Sequence, residues 1–313
     1  MSPSSPPRIT YLGPAGTFTE EALLTQPDLA DAELVPTSTI AEALTAVHDG
    51  DADLGFVPVE NSIEGGVRET LDTLIFSSDL LIQREVVLAI SLNLMAAPGV
   101  TLEDVRRVVS YPVALAQCRM FFHDRLPSFE EVAATSTSDA ARIVGETRPP
   151  DAAAVGTALA AKLYGLEIIA TDIEDHGDNE TRFVLVAPPS AGVPGPSGHD
   201  RTSIVCFQHN DRPGSLHAIL GQFSARNLNL TKLESRPTKR GLGEYCFMID
   251  FQGHVDDEVV ADCLRDLHSQ LAGVKFLGSY PATGEHSESI RRDAEASWRA
   301  ADEWIAGIRD QIR

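Results

Sequence analysis

The stretch TSTIAEALTAV, residues 37–47, returns 98 residues later as TSTSDAARIV, residues 135–144. In both copies a hydroxyl-rich triplet precedes Ala and aliphatic residues at helical spacing, the pattern of an N-capped helix. Two further landmarks keep the same offset. Asp53 opens DLGFVPV and Asp151 opens DAAAVG, each a short apolar run. Upstream, a strand-like run reaches Pro14 in one copy and Pro112 in the other, and each leads into a helix. A shared offset over three landmarks marks an internal duplication. Strands alternating with helices imply mostly parallel sheets covered on both faces. The fold class expected is α/β, with two similar lobes side by side. In such sheets ligands bind beyond the carboxyl ends of the strands, so the loops that follow them are the candidate site.

The chain is long enough, at 313 residues, for two domains or more, and its 43% hydrophobic content is ordinary for a globular protein. No apolar run approaches the ~20 residues needed to span a bilayer. The N-terminal MSPSSPPR has no apolar core and is not expected to be a secretory signal. The four cysteines, Cys118, Cys206, Cys246 and Cys263, are scattered without metal-ligand spacing. A cytoplasmic location without disulfides, metal or cofactor is the expectation. With 25 basic against 46 acidic residues the net charge is −21, which disfavours nucleic acid and anionic membranes as partners. The same charge means that an anionic substrate has to be held by local donors.

Several loops supply such donors. In GPAGTFTEEAL, residues 13–23, Gly16 and Thr17 stand at a helix start, with Glu20 three residues after Thr17. That spacing fits a capping box, and it fits equally a cradle of backbone N–H groups for an anion. Ser38–Thr39 and Ser136–Thr137 carry the same two readings. In VPVENSIEGGV, residues 57–67, an apolar strand ends in Glu60, Asn61 and Ser62, which suit either turn chemistry or a polar ligand. Ser110 stands at another strand end, and Gln117 on the first turns of the next helix. In GDNETRFVLV, residues 177–186, Thr181 and Arg182 stand where a polar loop becomes the apolar run that starts at Phe183. No Ser-His-Asp constellation, His cluster or nucleotide loop accompanies them. Hydroxyls, amides and helix N-termini with few titratable groups suit a small, oxygen-rich anion.

Beyond PPSAGVPGPSGHD, residues 188–200, which reads as a linker, residues 201–280 follow the order strand, helix, strand, strand, helix, strand. Leu216, Ile219, Leu220 and Phe223 form one helical stripe, and Val260, Cys263, Leu264, Leu267 and Leu271 a second. The expected fold is ferredoxin-like α+β. In residues 281–313, Trp298, Ala301, Trp304, Ile305 and Ile308 predict a short amphipathic helix.

YLGPAGTFTEEA, VPVENSIEGGV, ALAQC, STSDAAR, LAAKLYGLEIIA and NETRFVLV, in this order, resemble the prephenate dehydratases. RPGSLHAIL and LTKLESRP resemble the phenylalanine-binding motifs of an ACT regulatory domain. The resemblance implies a catalytic domain over 8–187 with the two-lobed fold of type II periplasmic binding proteins. One lobe would be 8–90 with 180–187, the other 91–179. It implies conversion of prephenate to phenylpyruvate, with Thr181 as the key catalytic residue. Glu60, Asn61, Ser110 and Gln117 match further positions tied to activity or binding. Gly16, Thr17, Ser38, Thr39, Ser62, Ser136, Thr137, Arg182 and Phe183 are placed with the substrate on the residue reading above. Two positions depart from the pattern. Many relatives read Ser-His-Pro-Gln where this chain reads Ser110-Tyr111-Pro112-Val113, and Gly214-Ser215-Leu216 replaces Gly-Ala-Leu.

Prephenate is a dianion that loses carbon dioxide and a poor leaving group, hydroxide. Thr181 is expected to donate to the departing hydroxyl, and a protonated Glu60 is the candidate proton source. Arg182 stays open, because successive strand residues face opposite ways. The ACT resemblance implies L-phenylalanine as effector, held by Gly214, Ser215, Leu216, Glu234, Ser235 and Arg236, and pairing of ACT domains into a homodimer or homotetramer. Arogenate as substrate, and a non-catalytic sensor of a small anion, are the alternatives.

Overall fold

The computed structural model describes residues 6–126, 128–210, 212–239, 241, 243–283 and 303–310. The chain divides into two compact units. One comprises Met1–Thr73 with Val86–Leu185, the other Leu74–Glu85 with Val186–Arg313. Residues 74–85 thus belong with the second unit, although they lie within the segment expected to form the first.

The first unit holds the duplication. One sheet runs in the order Glu33–Thr37, Arg8–Leu12, Leu54–Asn61, Glu180–Ala187, Leu81–Ala89. The other runs Glu130–Ala133, Arg107–Ser110, Ala152–Gly156, Asn93–Ala96, Glu167–Ala170. The first three strands of each path are the repeated ones, and they pair in parallel in both sheets. Asn93–Ala96 is antiparallel to Ala152–Gly156 and to Glu167–Ala170, so the second sheet is mixed rather than all parallel.

The helices form where the sequence caps them. Thr39 accepts from the N–H of Glu42 at 3.1 Å and starts the helix Ile40–Asp49, which Gly50 ends in a left-handed conformation. Ser136 accepts from the N–H of Asp139 at 2.9 Å and starts Thr137–Thr147. Thr17 caps the shorter helix Phe18–Leu24. Each lobe buries its own core. Ile9, Tyr11, Leu23 and Leu185 surround Phe56 and Phe183, whose rings stack at 5.5 Å in the first. Leu94, Val108, Leu115, Phe122 and Val155 pack one face of the second sheet, and Met95, Val109, Ala141 and Ala154 the other.

The loop after the first strand ties the two lobes together. Ser138 Oγ donates to the Ala15 carbonyl, Thr157 Oγ1 to that of Gly16 at 2.7 Å, and the Tyr164 hydroxyl to that of Ala15 at 3.3 Å. Gly16 has φ +85°, and a Cβ there would come within 3.1 Å of Ala160 Cα, so both backbone shape and space demand glycine.

The second unit contains an antiparallel sheet in the order Leu230–Pro237, Tyr245–Gln252, Asp200–Phe207, Gly273–Pro281, with the helices Ser215–Ser224 and Glu258–Gln270. This is the ferredoxin-like arrangement. Ile204, Ile219, Phe223, Phe251, Val260 and Leu267 fill its core. In the same unit Glu85 is fully buried, pairs with Arg201 at 3.0 Å and accepts from the N–H of Thr283 at 2.7 Å. Residues 303–309 are helical with Trp304, Ile305 and Ile308 exposed. Trp298 and Ala301, expected on the same helix, lie outside the described residues.

Candidate active site

A cleft of about 670 Å³ opens in the first unit, and both lobes line it. The first lobe contributes Thr17, Ser38, Asn61, Thr181 and Phe183, and Asn179 stands where the two lobes join. The second contributes Gln117, Thr135, Ser136 and Thr137. Among the described residues lining it, none is Lys, Arg or His, and the carboxylates are Glu64 and Glu69. Glu69 accepts from the N–H of Ala41 at 3.1 Å and so occupies part of a helix N-terminus.

The strands Leu54–Asn61 and Glu180–Ala187 are neighbours, and side-chain alternation sorts their ends. Asn61 and Thr181 face the cleft. Glu60 and Arg182 do not line it and meet each other instead, with Arg182 Nη2 2.9 Å and Nε 3.2 Å from Glu60 Oε2. Arg182 is 7% exposed. The expectation that Glu60 supplies a proton at the cleft is corrected on this geometry. Its carboxylate faces the Arg182 guanidinium and does not line the cleft. Arg182 likewise leaves the list of substrate contacts.

The amide of Asn61 has its orientation set by its partners. Its Oδ1 accepts from the N–H groups of Ile63 and Glu64, each at 3.0 Å. Its Nδ2 donates to Asn179 Oδ1 at 2.7 Å, to Thr181 Oγ1 at 2.9 Å and to the Glu180 carbonyl at 3.2 Å. Thr181 receives that bond as an acceptor, which leaves its own O–H to donate into the cleft. Asn179 Nδ2 donates to Gln117 Oε1 at 3.4 Å, so the Gln117 amide nitrogen is the end left for a ligand.

Other expected residues have different positions. Ser110 is fully buried and donates to the Val155 carbonyl at 2.8 Å, a bond between neighbouring parallel strands. Thr39 caps its helix, and the N–H of Ser38 goes to Glu42 at 2.9 Å. Thr17 Oγ1 accepts from the N–H of Glu20 at 3.4 Å, and the Glu20 carboxylate takes the N–H of Gly16, one residue before the cap, at 2.5 Å; half of the expected capping box is present, and the N–H of Gly16 is already taken. Ser62 accepts from the N–H of Glu180 at 3.0 Å outside the cleft. At the start of Thr137–Thr147 the N–H of Asp139 goes to Ser136 Oγ, while the N–H groups of Thr137 and Ser138 have no intrahelical acceptor and stand beside the lining hydroxyls of Thr135, Ser136 and Thr137. The residue reading passed over Asn179, Glu64 and Glu69. Asn179 stands two residues before Thr181, so a period-two reading of that segment would have found it.

Cys118 adjoins the cleft residue Gln117 but offers no thiolate. Burial pushes its thiol well above the ordinary value, and the carboxylates of Asp175 and Glu174 add to the shift. Among the described residues no group of three or more His, Cys, Asp or Glu could hold a metal ion, and no helix is long and apolar enough to cross a membrane.

In the second unit Gly214, at φ +86°, and Ser215 start the helix Ser215–Ser224. Ser215 lines a cavity of about 430 Å³ with Gln208, Asn210, Arg212 and Gln270. Leu216 packs against the core. Glu234 pairs with Lys232 and Arg236 at 3.6 Å on the edge strand Leu230–Pro237, and Ser235 is exposed beside them. Glu234, Ser235 and Arg236 do not line that cavity.

Comparison with known proteins agrees with this architecture. The family profile described as Prephenate dehydratase matches residues 9–191, and the ACT domain profile matches 202–269. A prephenate dehydratase of Mycolicibacterium vanbaalenii is 43% identical over 97% of this chain and 99% of its own. The crystal structure of a prephenate dehydratase from Arthrobacter aurescens, solved in complex with L-Phe, superposes with a TM-score of 0.86 at 40% identity, covering 97% of this chain and 99% of that one. That from Staphylococcus aureus gives 0.76 at 27% identity over 87% and 99%. The duplicated two-sheet unit and the ferredoxin-like unit correspond to the two matched profiles, and the chain belongs to the prephenate dehydratase family, with a C-terminal ACT domain.

Proposed function

We propose that this chain converts prephenate to phenylpyruvate, water and carbon dioxide, and that L-phenylalanine bound to its ACT domain regulates the reaction. The observation that carries the reading is the hydroxyl of Thr181, aimed by Asn61 into a cleft lined by neutral donors.

In the reaction the ring carboxylate leaves as carbon dioxide. Its bonding electrons enter the ring, and the ring hydroxyl departs on the far side as the ring becomes aromatic. Hydroxide is a poor leaving group, and a donor that strengthens its hydrogen bond as charge develops lowers the barrier. Thr181 is the donor in this reading, supported by its position on the cleft wall and its bond from Asn61. Threonine and water are both too weak as acids to surrender a proton unaided, so Thr181 stabilises the departing hydroxide by its hydrogen bond, and the one proton that the reaction consumes comes from bulk solvent through water in the cleft. Glu60 has no part in it. Gln117 and the start of the helix Thr137–Thr147 meet the carboxylates without bringing net charge. Phe183 supplies an apolar wall for the ring.

The effector reading rests on Gly214–Leu216 and Glu234–Arg236. Ser215 lines the 430 Å³ cavity and Glu234–Arg236 do not, and pairing of ACT domains in a homodimer or homotetramer would bring one copy's segment to the other's. The exposed Leu233 on the edge strand Leu230–Pro237 is the kind of surface such pairing covers. The purified protein should turn over prephenate, and light scattering should give a mass at least twice that of the chain. Turnover of arogenate in place of prephenate, or ligand binding with no turnover, would contradict the reading.

A further inference from the structure

Asn179 is 2% exposed and stands at the start of the strand Glu180–Ala187. Its carbonyl accepts from the N–H of Ile90 at 2.8 Å, so it lies where the two segments linking the lobes run side by side. Its side chain joins groups from both lobes. Oδ1 takes one N–H of Asn61 at 2.7 Å, and Nδ2 reaches Gln117 Oε1 at 3.4 Å.

The geometry points to Asn179 as a positioning residue for the dehydration, one that aligns two donors at once. This rests on the functional reading above. The amide nitrogen of Asn61 carries two hydrogens. With one on Asn179 Oδ1, the other lies between Thr181 Oγ1 at 2.9 Å and the Glu180 carbonyl at 3.2 Å; towards Asn61 the nearer threonine oxygen acts as an acceptor, which leaves its own O–H to donate. At the opposite wall, the Asn179 N–H holds the Gln117 carbonyl oxygen away from an anionic ligand and presents the amide nitrogen. A carboxylate at position 179 would keep the first link and lose the second, because it accepts but cannot donate.

The test is a double-mutant cycle on kcat, with KM recorded beside it, using Asn61→Ala, Asn179→Ala, the double variant and Asn179→Asp. Thermal unfolding of each variant reports on folding. Asn179→Ala is expected to lower kcat on the order of 10- to 100-fold, as loss of an aligned transition-state donor does. The double variant is expected to fall no more than about twofold below Asn61→Ala alone, since residues acting in series do not add. Asn179→Asp is expected to lower kcat less than Asn179→Ala and to raise KM for prephenate by about tenfold, through the reversed Gln117 amide and the added charge. Losses in kcat that multiply in the double variant would overturn the proposal, because a merely structural residue behaves that way. Should Asn179→Ala not fold, the near-isosteric Asn179→Asp decides alone. A kcat as low as that of Asn61→Ala with an unchanged KM would overturn the proposal. A wild-type protein inactive on prephenate would instead defeat the functional reading beneath it.

Discussion

Asn61 Nδ2 lies 2.9 Å from Thr181 Oγ1, and because the amide can only donate through that atom, the threonine hydroxyl points its hydrogen elsewhere, into the cleft. Residues 120 positions apart in the chain are joined by neighbouring strands whose cleft-facing positions coincide.

Thr181→Ala removes the donor and should lower kcat by about 100-fold or more with KM changed only a few-fold, whereas Thr181→Ser should keep activity to within about tenfold. Steady-state kinetics on prephenate distinguish the two.

Glu60→Gln tests the alternation of side chains. Because Glu60 faces Arg182 rather than the cleft, kcat should change by less than about fivefold, while the buried guanidinium loses a charged partner at a cost of about 2–3 kcal/mol in urea unfolding. A loss of 100-fold or so in kcat with stability intact would restore Glu60 to the chemistry.

Arg201→Met leaves the fully buried Glu85 without its guanidinium and should cost about 3 kcal/mol. Replacing both, as Glu85→Leu with Arg201→Met, should cost less than the single change. Denaturant unfolding of the three variants tests the order.

Asp139 anchors the hydroxyl-rich helix start. Burial opposes its charge, but the Arg142 guanidinium and the Thr135 hydroxyl and N–H outweigh it, so its carboxyl lies below the ordinary value. A lowered native value adds stability above the unfolded carboxyl's pKa, and that stability is lost as pH falls through the lowered one. The gap in unfolding midpoint between wild type and Asp139→Asn should therefore be constant above about pH 5, narrow below about pH 4, and close only once the pH has fallen through the lowered native value.

Much of this was legible in the sequence because it is local. Thr17, Thr39 and Ser136 each precede a partner by three residues, and the repeat fixed which strands correspond. The pairing of Glu60 with Arg182 was not legible, since the register between two strands so far apart in the chain is written nowhere in either. Ser110 resembled a ligand because it ends a strand, yet a neighbouring strand takes its hydroxyl. The antiparallel entry of Asn93–Ala96 was hidden for a similar reason. A short, fully buried apolar run has the same composition in either direction.

The most direct measurement is turnover of prephenate to phenylpyruvate by the purified chain, with and without L-phenylalanine. The account predicts turnover that depends on Thr181 and that L-phenylalanine alters. A protein that folds and binds prephenate but forms no phenylpyruvate would contradict it.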